Sequence, residues 1–238
     1  IYDSFLRTIR EKHLRVGTIV IDDKWQKHYG TCEVDLKKWP DLRGWIDARH
    51  AEGMRVLLWY GAWNREGLPD EELIRDPQGQ PACVDPTNPA YQGRLREMHY
   101  LLSSDEGCCN ADGIKYDWTN GLPVGPGWRI HGDTWGIELM KLYTKLLYDS
   151  AKAAKPDALI ITHTANPYFS ECTDMIRLND IFVGCREITD MMRHRQRIAR
   201  IACPHALIDC DNSSAPDRTE WLEYMKAQPE LGVPSLYF

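Results

Sequence analysis

The sequence GIKYDW (residues 113–118) is a short, strand-like run that ends in an acid and an aromatic residue. Side chains alternate between the two faces of a strand, so Lys115 and Asp117 are expected to point to the same side. Apolar runs followed by carboxylates recur at residues 18–23, 175–180 and 206–211. Buried strands that each end in carboxylates predict a parallel barrel whose active site lies at the C-terminal ends of the strands.

Helical and strand-like segments alternate along the whole chain. Seven strands are predicted at residues 17–23, 55–63, 112–118, 158–164, 174–180, 206–211 and 233–238. Helical spacing covers residues 4–14, 42–52, 89–103, 136–154, 187–202 and 218–228. Alternation of this kind is typical of parallel βαβ units. The predicted fold is therefore α/β, a (β/α)8 TIM barrel.

The strand count stops one short of a closed barrel. The chain opens in a helix and stops inside a strand, and a barrel that lacks a strand exposes a sheet edge. We therefore expect residues 1–238 to be a single catalytic domain taken from a larger protein, without the first strand and the last helix of the barrel. The alternative is that the missing partner strand lies before Ile1. An open doubly wound sheet is disfavoured because no glycine-rich phosphate turn follows the first strand.

Composition narrows the classes of partner. The 238 residues are 43% hydrophobic and 27% charged, with a net charge of −6 and scattered Lys and Arg, which favours neither nucleic acid nor a membrane surface as a partner. No apolar run approaches the ~20 residues that span a bilayer. The start of the chain does not resemble a signal peptide, which slightly favours the cytoplasm. The eight Cys show no paired zinc-type spacing and are expected to be reduced thiols.

Two of the strand-end acids suit glycoside chemistry. A retaining glycosidase needs two carboxyl groups about 5–5.5 Å apart, one as nucleophile and one as acid/base. Asp117 and Asp180 end the third and fifth predicted strands, and the rim of a small barrel brings such positions together. Lys115 and Arg177 are expected to bind sugar hydroxyls and to keep Asp117 ionised. The ordinary alternatives are a helix cap for each acid and a simple ion pair for each base.

Further residues are candidates for substrate binding. Asp22 and Asp23 supply acceptors for pairs of sugar hydroxyls. Nine Trp and eleven Tyr against four Phe are typical of carbohydrate sites, because these rings combine an apolar face with a polar tip. Trp25, Trp59 and Trp63 are the candidate sugar platforms, and the alternative is that they fill the core.

Longer stretches resemble the catalytic barrel of family 36 α-galactosidases, the melibiase-type enzymes. IVIDDKWQ (19–26) and WPDLRGWIDARHAEGMRVLLWYGAW (39–63) are similar to its start, and VDPTNPAYQGRLREM (84–98), DGIKYDW (112–118) and DMIRLND (174–180) continue it in order. LIDCDN (207–212) resembles a later NDPD segment and adds Asp211 to the substrate-binding residues. The resemblance implies Asp117 as nucleophile, Asp180 as acid/base, and Lys115 and Arg177 as site residues.

The expected activity is that of a retaining α-glycoside hydrolase, with α-galactosides as the first substrates to consider and no metal or organic cofactor. Lys24 stands where the family has glycine, and THTANPYFSEC (162–172) replaces its CSGGG segment, which shapes the pocket around the sugar. α-Glucosides and transfer to another sugar therefore remain open. Two other classes are a metal-dependent hydrolase using strand-end acids with His163, and a carbohydrate-binding barrel without catalysis.

Overall fold

The computed structural model describes residues 1–181, 187–211 and 217–236. Its helices are α1 (Tyr2–Glu11), α2 (Leu42–Ala51), α3 (Pro89–Ser103), α4 (Gly136–Ala154), α5 (Ile188–Ala202) and α6 (Arg218–Leu231). Its strands are β1 (Thr18–Ile21), β2 (Arg55–Gly61), β3 (Leu73–Arg75), β4 (Pro81–Val84), β5 (Gly113–Asp117), β6 (Leu159–Thr162), β7 (Met175–Arg177) and β8 (Leu207–Asp209).

Six of the strands form one parallel sheet in the order β1-β2-β5-β6-β7-β8. Helices α2, α3, α4 and α5 provide the crossovers, and a short 3-10 segment, Pro167–Cys172, connects β6 to β7. This topology confirms the α/β class and a partial (β/α) barrel. The strand order runs in one direction along the sheet and does not reverse, as it would in an open doubly wound sheet.

The predicted eight-stranded closure is not present in the described residues. The predicted strand at 233–238 appears only as a single parallel bridge between Asp209 and Val233. Pro234 follows directly and has no N–H to continue a ladder. Tyr237 and Phe238 lie outside the described residues.

The long connection at 64–88 contains a hairpin that the strand prediction missed. β3 and β4 pair antiparallel around the turn Asp76–Gly79, where Gly79 has a φ of +82°. Arg75 then exchanges two backbone hydrogen bonds with Arg129 in the next long connection, at 3.0 and 2.9 Å. The two connections, which follow the C-terminal ends of β2 and β5, are thereby joined to each other.

The pleat of the sheet separates two apolar layers. Its outer face packs on the helices through large buried residues such as Leu58, Tyr60, Ile114 and Tyr116. A smaller cluster of Leu57, Ile161 and Met175, with Val20 and Leu159 beside it, fills the inner face. Side chains two positions after these cluster residues point to the same inner face, because side chains alternate along a strand. They therefore lie on the inner face nearer the C-terminal ends of the strands.

Two acids fasten the opposite, N-terminal ends of the strands. Asp112 accepts hydrogen bonds from Val56 N–H at 2.8 Å and from the His50 ring at 2.6 Å. Asp174 accepts from Ile160 N–H at 2.9 Å and from Lys152 Nζ at 2.7 Å. Each carboxylate thus joins a neighbouring strand to a helix at the start of the sheet.

No helix in the described ranges is long and apolar enough to cross a membrane. Seven of the eight cysteines are described, and each of these is a free thiol, as the sequence predicts: Cys32, Cys83, Cys108, Cys109, Cys172, Cys203 and Cys210. The eighth, Cys185, lies outside the described residues.

Candidate active site

An ion pair between Lys115 and Asp22 forms the floor of the site. Lys115 Nζ donates to Asp22 Oδ2 at 2.6 Å, and the lysine is buried. These residues belong to β5 and to the end of β1, which are separated by β2, so the concave curvature of the sheet brings them together. Two charged groups of opposite sign are thereby presented at the base of the inner face.

Asp117 lies two residues beyond Lys115 and is held by three donors. Its Oδ1 accepts from Arg177 Nη2 at 3.0 Å and from Trp118 N–H at 2.9 Å, and its Oδ2 accepts from Trp59 Nε1 at 3.2 Å. Burial raises the pKa of Asp117, but the Arg177 charge and these hydrogen bonds outweigh burial and hold the pKa below its ordinary value. Asp117 is therefore an ionised, oriented carboxylate at neutral pH.

Arg177 connects three carboxylates through one buried guanidinium. Besides Asp117, its Nη1 donates to Asp180 Oδ1 and to Asp211 Oδ2, both at 2.9 Å. The two terminal nitrogens of a planar guanidinium are about 2.3 Å apart, so the Oδ1 atoms of Asp117 and Asp180 lie within about 8 Å of each other. That limit includes the separation of about 5–5.5 Å that a retaining pair needs.

The backbone around Asp180 is anchored while its carboxylate stays accessible. Asn179 has a left-handed φ of 74°, and its Oδ1 accepts from Asp180 N–H at 3.0 Å. Arg195 on α5 donates from Nη1 to three successive carbonyl oxygens, those of Leu178, Asn179 and Asp180, at 3.0, 2.9 and 3.0 Å. The Asp180 side chain is 47% exposed, so it can reach an incoming group.

His163 lies near both Asp117 and Asp180. From the sequence it was expected only as a ligand in the metal-dependent alternative. Its Nε2 accepts from Thr119 N–H at 3.1 Å, and its ring also bonds to the Asn179 side chain. Burial and the adjacent Arg177 charge lower the pKa of His163, although Asp117 and Asp180 oppose them. The neutral ring therefore carries its proton on Nδ1.

Two further acids lie behind Arg177 at the end of β8. Burial raises the pKa of Asp211 to about 6, with Arg177 opposing the rise, and burial also raises the pKa of Asp209. Asp209 Oδ1 accepts from the backbone N–H of Asp211 at 3.1 Å. Asp211 is fully enclosed, so it contacts Arg177 without being open to a ligand in solution.

All three predicted sugar platforms are buried, and each makes different contacts. Trp59 contacts Asp117, whereas Trp25 donates from Nε1 to the Trp59 carbonyl at 2.7 Å. Trp63 donates to the Thr119 carbonyl at 2.9 Å and packs on Tyr143, with ring centroids 4.6 Å apart. Of these indoles, only Trp59 lies against a candidate catalytic acid.

Asp23 also takes a different direction from Asp22. Its side chain bonds to Tyr29 and lies 3.8 Å from Lys24 Nζ. Among the residues that the structure describes, no group of three or more His, Cys, Asp or Glu side chains is arranged to hold a metal ion.

Trp118 is the aromatic residue that the platform prediction missed. Trp118 is 41% exposed, and its ring packs edge-on against the rings of Trp59 and Tyr29, with centroids 4.9 and 5.6 Å apart. Gly61 makes this packing possible, since a Cβ there would lie 2.7 Å from Trp59 and 2.8 Å from Trp118 ring atoms. We call Tyr29, Trp59 and Trp118 the aromatic wall. The position of Trp118 directly after Asp117 in GIKYDW was the sequence signal that could have identified it.

Left-handed backbone is concentrated just beyond the strand ends. Lys24, Trp63, Trp118, Asn179 and Asp211 all have positive φ, between 42° and 74°. Such conformations cost about 1–3 kcal/mol each for non-glycine residues and cluster at functional sites. They turn the chain sharply where the inner face opens, which brings the acids and the aromatic wall to one place.

Solved glycoside hydrolases share this fold over part of their length. A cycloalternan-degrading enzyme from Trueperella pyogenes, solved with a covalent intermediate, aligns with a TM-score of 0.74 and 16% identity over 100% of this chain and 39% of its own. A GH31 sulfoquinovosidase from E. rectale gives 0.70 and 13% over 94% and 39%. A GH31 α-xylosidase from a soil metagenome gives 0.64 and 16% over 85% and 33%.

The chain spans well under half the length of these proteins, and identities of 13–16% establish a common fold. No protein-family model and no curated protein sequence matches the chain. The neighbours belong to glycoside hydrolases in general and give no specific support to family 36 or to galactose.

Proposed function

We propose that this chain carries the catalytic barrel of a retaining α-glycoside hydrolase. The observation that carries the proposal is the arrangement around Arg177, which holds an ionised, partly buried Asp117 and a more exposed Asp180 on one guanidinium. A nucleophile must be a carboxylate, and an acid/base must exchange protons with the leaving group and with water. The two acids meet these different requirements.

The reaction proceeds as a double displacement. An Asp117 oxygen attacks the anomeric carbon and forms an ester as the glycosidic bond breaks, while Asp180 gives its proton to the departing oxygen. Asp180, now a carboxylate, takes a proton from water, and the resulting hydroxyl displaces Asp117 from the anomeric carbon. Configuration is inverted twice and so retained, and the enzyme returns to its starting protonation.

The remaining contacts assign roles to the floor of the site. Lys115 and Asp22 offer a donor and an acceptor side by side, which suits two neighbouring hydroxyls of a sugar. Trp59 Nε1 and Trp118 N–H hold the two oxygens of Asp117, so the carboxylate is oriented before substrate binds. Arg177 stabilises the negative charge of Asp117, and this attraction weakens as the ester forms and the charge is lost.

Similarity to solved enzymes supports the reaction class more than the sugar. The cycloalternan-degrading enzyme was solved with a covalent intermediate, the species that a double displacement requires. The sequence resemblance favours α-galactosides, whereas the neighbours named above act on a cycloalternan, an α-xyloside and a sulfoquinovoside. We therefore propose α-glycosides as the substrate class and test galactose, glucose and xylose in parallel.

The test is turnover of aryl α-galactoside, α-glucoside and α-xyloside by the full chain, with proton NMR of the first sugar released. Turnover of one α-glycoside with the α-anomer appearing first is the expected result. Release of the β-anomer would exclude a double displacement. Absence of turnover on the whole panel, with disaccharide binding retained in calorimetry, would favour the carbohydrate-binding alternative.

A further inference from the structure

The exposed face of Trp118 is not accounted for by the chemistry at Asp117. Large apolar rings are mostly covered in folded proteins, yet Trp118 is 41% exposed, directly beside the partly buried Asp117 carboxylate. The other two members of the aromatic wall are more covered: Trp59 is fully buried, and Tyr29 is partly exposed. One flat, solvent-facing indole is therefore presented at the mouth of the site.

This ring is held rigidly. The backbone N–H of Trp118 donates to Asp117 Oδ1 at 2.9 Å, and its carbonyl accepts from Gly121 N–H at 3.0 Å. Edge-on contacts to Trp59 and Tyr29 support the ring from the side. Tyr29 is itself fixed, since its N–H donates to Glu66 Oε2 at 2.9 Å. A preorganised aromatic surface binds a flat ligand without the entropy cost of ordering a mobile one.

Chemistry differs between the floor and the mouth of the site. The floor presents Lys115, Asp22, Asp117 and Arg177, which suit the hydroxyls and the anomeric centre of the reacting sugar. Trp118 follows Asp117 in the chain and is more exposed than it, and the two faces of its indole ring are apolar. Aromatic faces attract the flat, C–H-bearing side of a ring, whether that ring is a pyranose or an aryl group.

We propose that Trp118 is a stacking platform for the ring that is attached to the reacting sugar, on the leaving-group side. This inference rests on the proposed glycosidase function and adds a substrate requirement to it. The preferred substrates then carry a cyclic leaving group, a second pyranose or an aryl group, rather than a small one. Trp59, in contrast, serves Asp117 through its Nε1 and offers no open face.

The test compares leaving groups of different shape in the full chain. Trp118→Leu keeps apolar bulk against Trp59 and Tyr29 but removes the flat face, whereas Trp118→Tyr keeps one. We expect Trp118→Leu to raise KM for an α-linked disaccharide about tenfold, with a much smaller effect on the α-glycosyl fluoride of the same sugar. Trp118→Tyr should raise KM for the disaccharide less than Trp118→Leu does, because it keeps an aromatic face.

The matched control is Tyr100→Leu, which removes an aromatic residue of similar exposure, 42%, near the end of α3, whose hydroxyl donates to Glu106 and not to Asp117 or Asp180. Equal loss of activity on the disaccharide and the fluoride would overturn the proposal, because the ring would then contact the reacting sugar. No loss on either substrate would overturn it as well.

The proposed function fails separately, if wild type cleaves neither the fluoride nor any disaccharide. In that case the stacking role of Trp118 is tested by calorimetry, from the binding of an α-galactosyl and an α-glucosyl disaccharide. Weakening by Trp118→Leu but not by Tyr100→Leu would support the stacking role, and equal binding by all three proteins would reject it.

Discussion

Arg177 Nη2 donates to Asp117 Oδ1 across 3.0 Å, and this contact links the protonation of one acid to the position of the other. The same guanidinium binds Asp180 through Nη1, so a change of charge at either carboxylate alters how strongly Arg177 holds its partner. The single positive charge of Arg177 is shared among three acids, so it cannot neutralise all of them when each is ionised. Roles for the two acids can therefore be separated by substitution.

Asp117→Asn removes the nucleophile while keeping its shape. The neutral amide cannot form a glycosyl ester, so kcat should fall by at least about 10³-fold. Turnover of an activated aryl α-glycoside measures the loss, and mass spectrometry of denatured wild type, after reaction with a slow fluorinated substrate, should show a sugar attached to the peptide containing residue 117. Residual activity within tenfold of wild type, with the fold intact by circular dichroism, would reject the assignment.

Asp180→Ala removes the proton donor and leaves the nucleophile. Substrates that need protonation of the leaving oxygen should lose about 10²–10⁴-fold in kcat/KM, whereas substrates with a good leaving group should lose much less. Azide should restore turnover by attacking the glycosyl-enzyme without a general base, giving a glycosyl azide of retained configuration. A loss that is uniform across leaving groups, without azide rescue, would place the acid/base elsewhere.

Arg195 is predicted to position Asp180, because its Nη1 contacts the carbonyl oxygens of residues 178–180. Arg195→Leu should lower kcat by about tenfold with little change in KM, since a small misplacement of a catalytic group is costly. The rate dependence on leaving-group pKa should steepen in the variant. Arg197→Leu, at an exposed position on the same helix, is the matched control and should behave as wild type.

His99 makes stability depend on pH at a place remote from the site. Its Nδ1 bonds to the Leu95 carbonyl, and burial lowers its pKa to about 4. Because the unfolded value is about 6.5, the unfolded chain takes up the proton first as pH falls. The free energy of unfolding should therefore drop by up to about 3 kcal/mol between pH 6.5 and 4.

The measurement for His99 is urea denaturation at several pH values. His99→Gln cannot titrate, so its stability should lose this part of the acid slope. Wild type and variant with parallel slopes between pH 4 and 6.5 would show that the buried ring does not control it.

Asp211 should have the opposite effect. Burial raises its pKa to about 6, above the ordinary value of 3.8, so the folded protein holds the proton more tightly than the unfolded chain. Stability from this group is present below pH 3.8 and is lost as pH rises through 6, by up to about 3 kcal/mol. Asp211→Asn should gain stability relative to wild type on going from pH 4 to pH 7. A constant difference across that range would refute the shifted pKa.

The inner face of the sheet was predictable because its cause is local. Alternation in a strand places Lys115 with Asp117, and parallel topology gathers the ends of β5 and β7, so the grouping of Asp117, Arg177 and Asp180 follows from the sequence pattern. The aromatic residues were harder. Trp63 and Trp118 both follow strand ends in left-handed conformations, which send one ring inward against Tyr143 and leave the other at the surface.

Other parts of the site depend on contacts that no local pattern encodes. Arg195 reaches the Asp180 loop from α5, 15 residues along the chain, and its carbonyl contacts exist only once that helix has packed. The hairpin of β3 and β4 was missed because its strands are only three and four residues long, although the turn Asp76–Gly79 carries the usual Pro and Gly.

Asp112 and Asp174 give the N-terminal ends of the strands a structural role, whereas the C-terminal ends carry the candidate catalytic groups. These two carboxylates hold backbone and helix together at one edge of the sheet, while the residues beyond β5 and β7 at the other edge hold the reacting groups. A mutant library confined to positions 118, 163 and 179 would therefore vary residues around the acids and leave Asp112 and Asp174 in place. Random mutagenesis of the entire chain would also replace Asp112 and Asp174 and so loosen the strand starts.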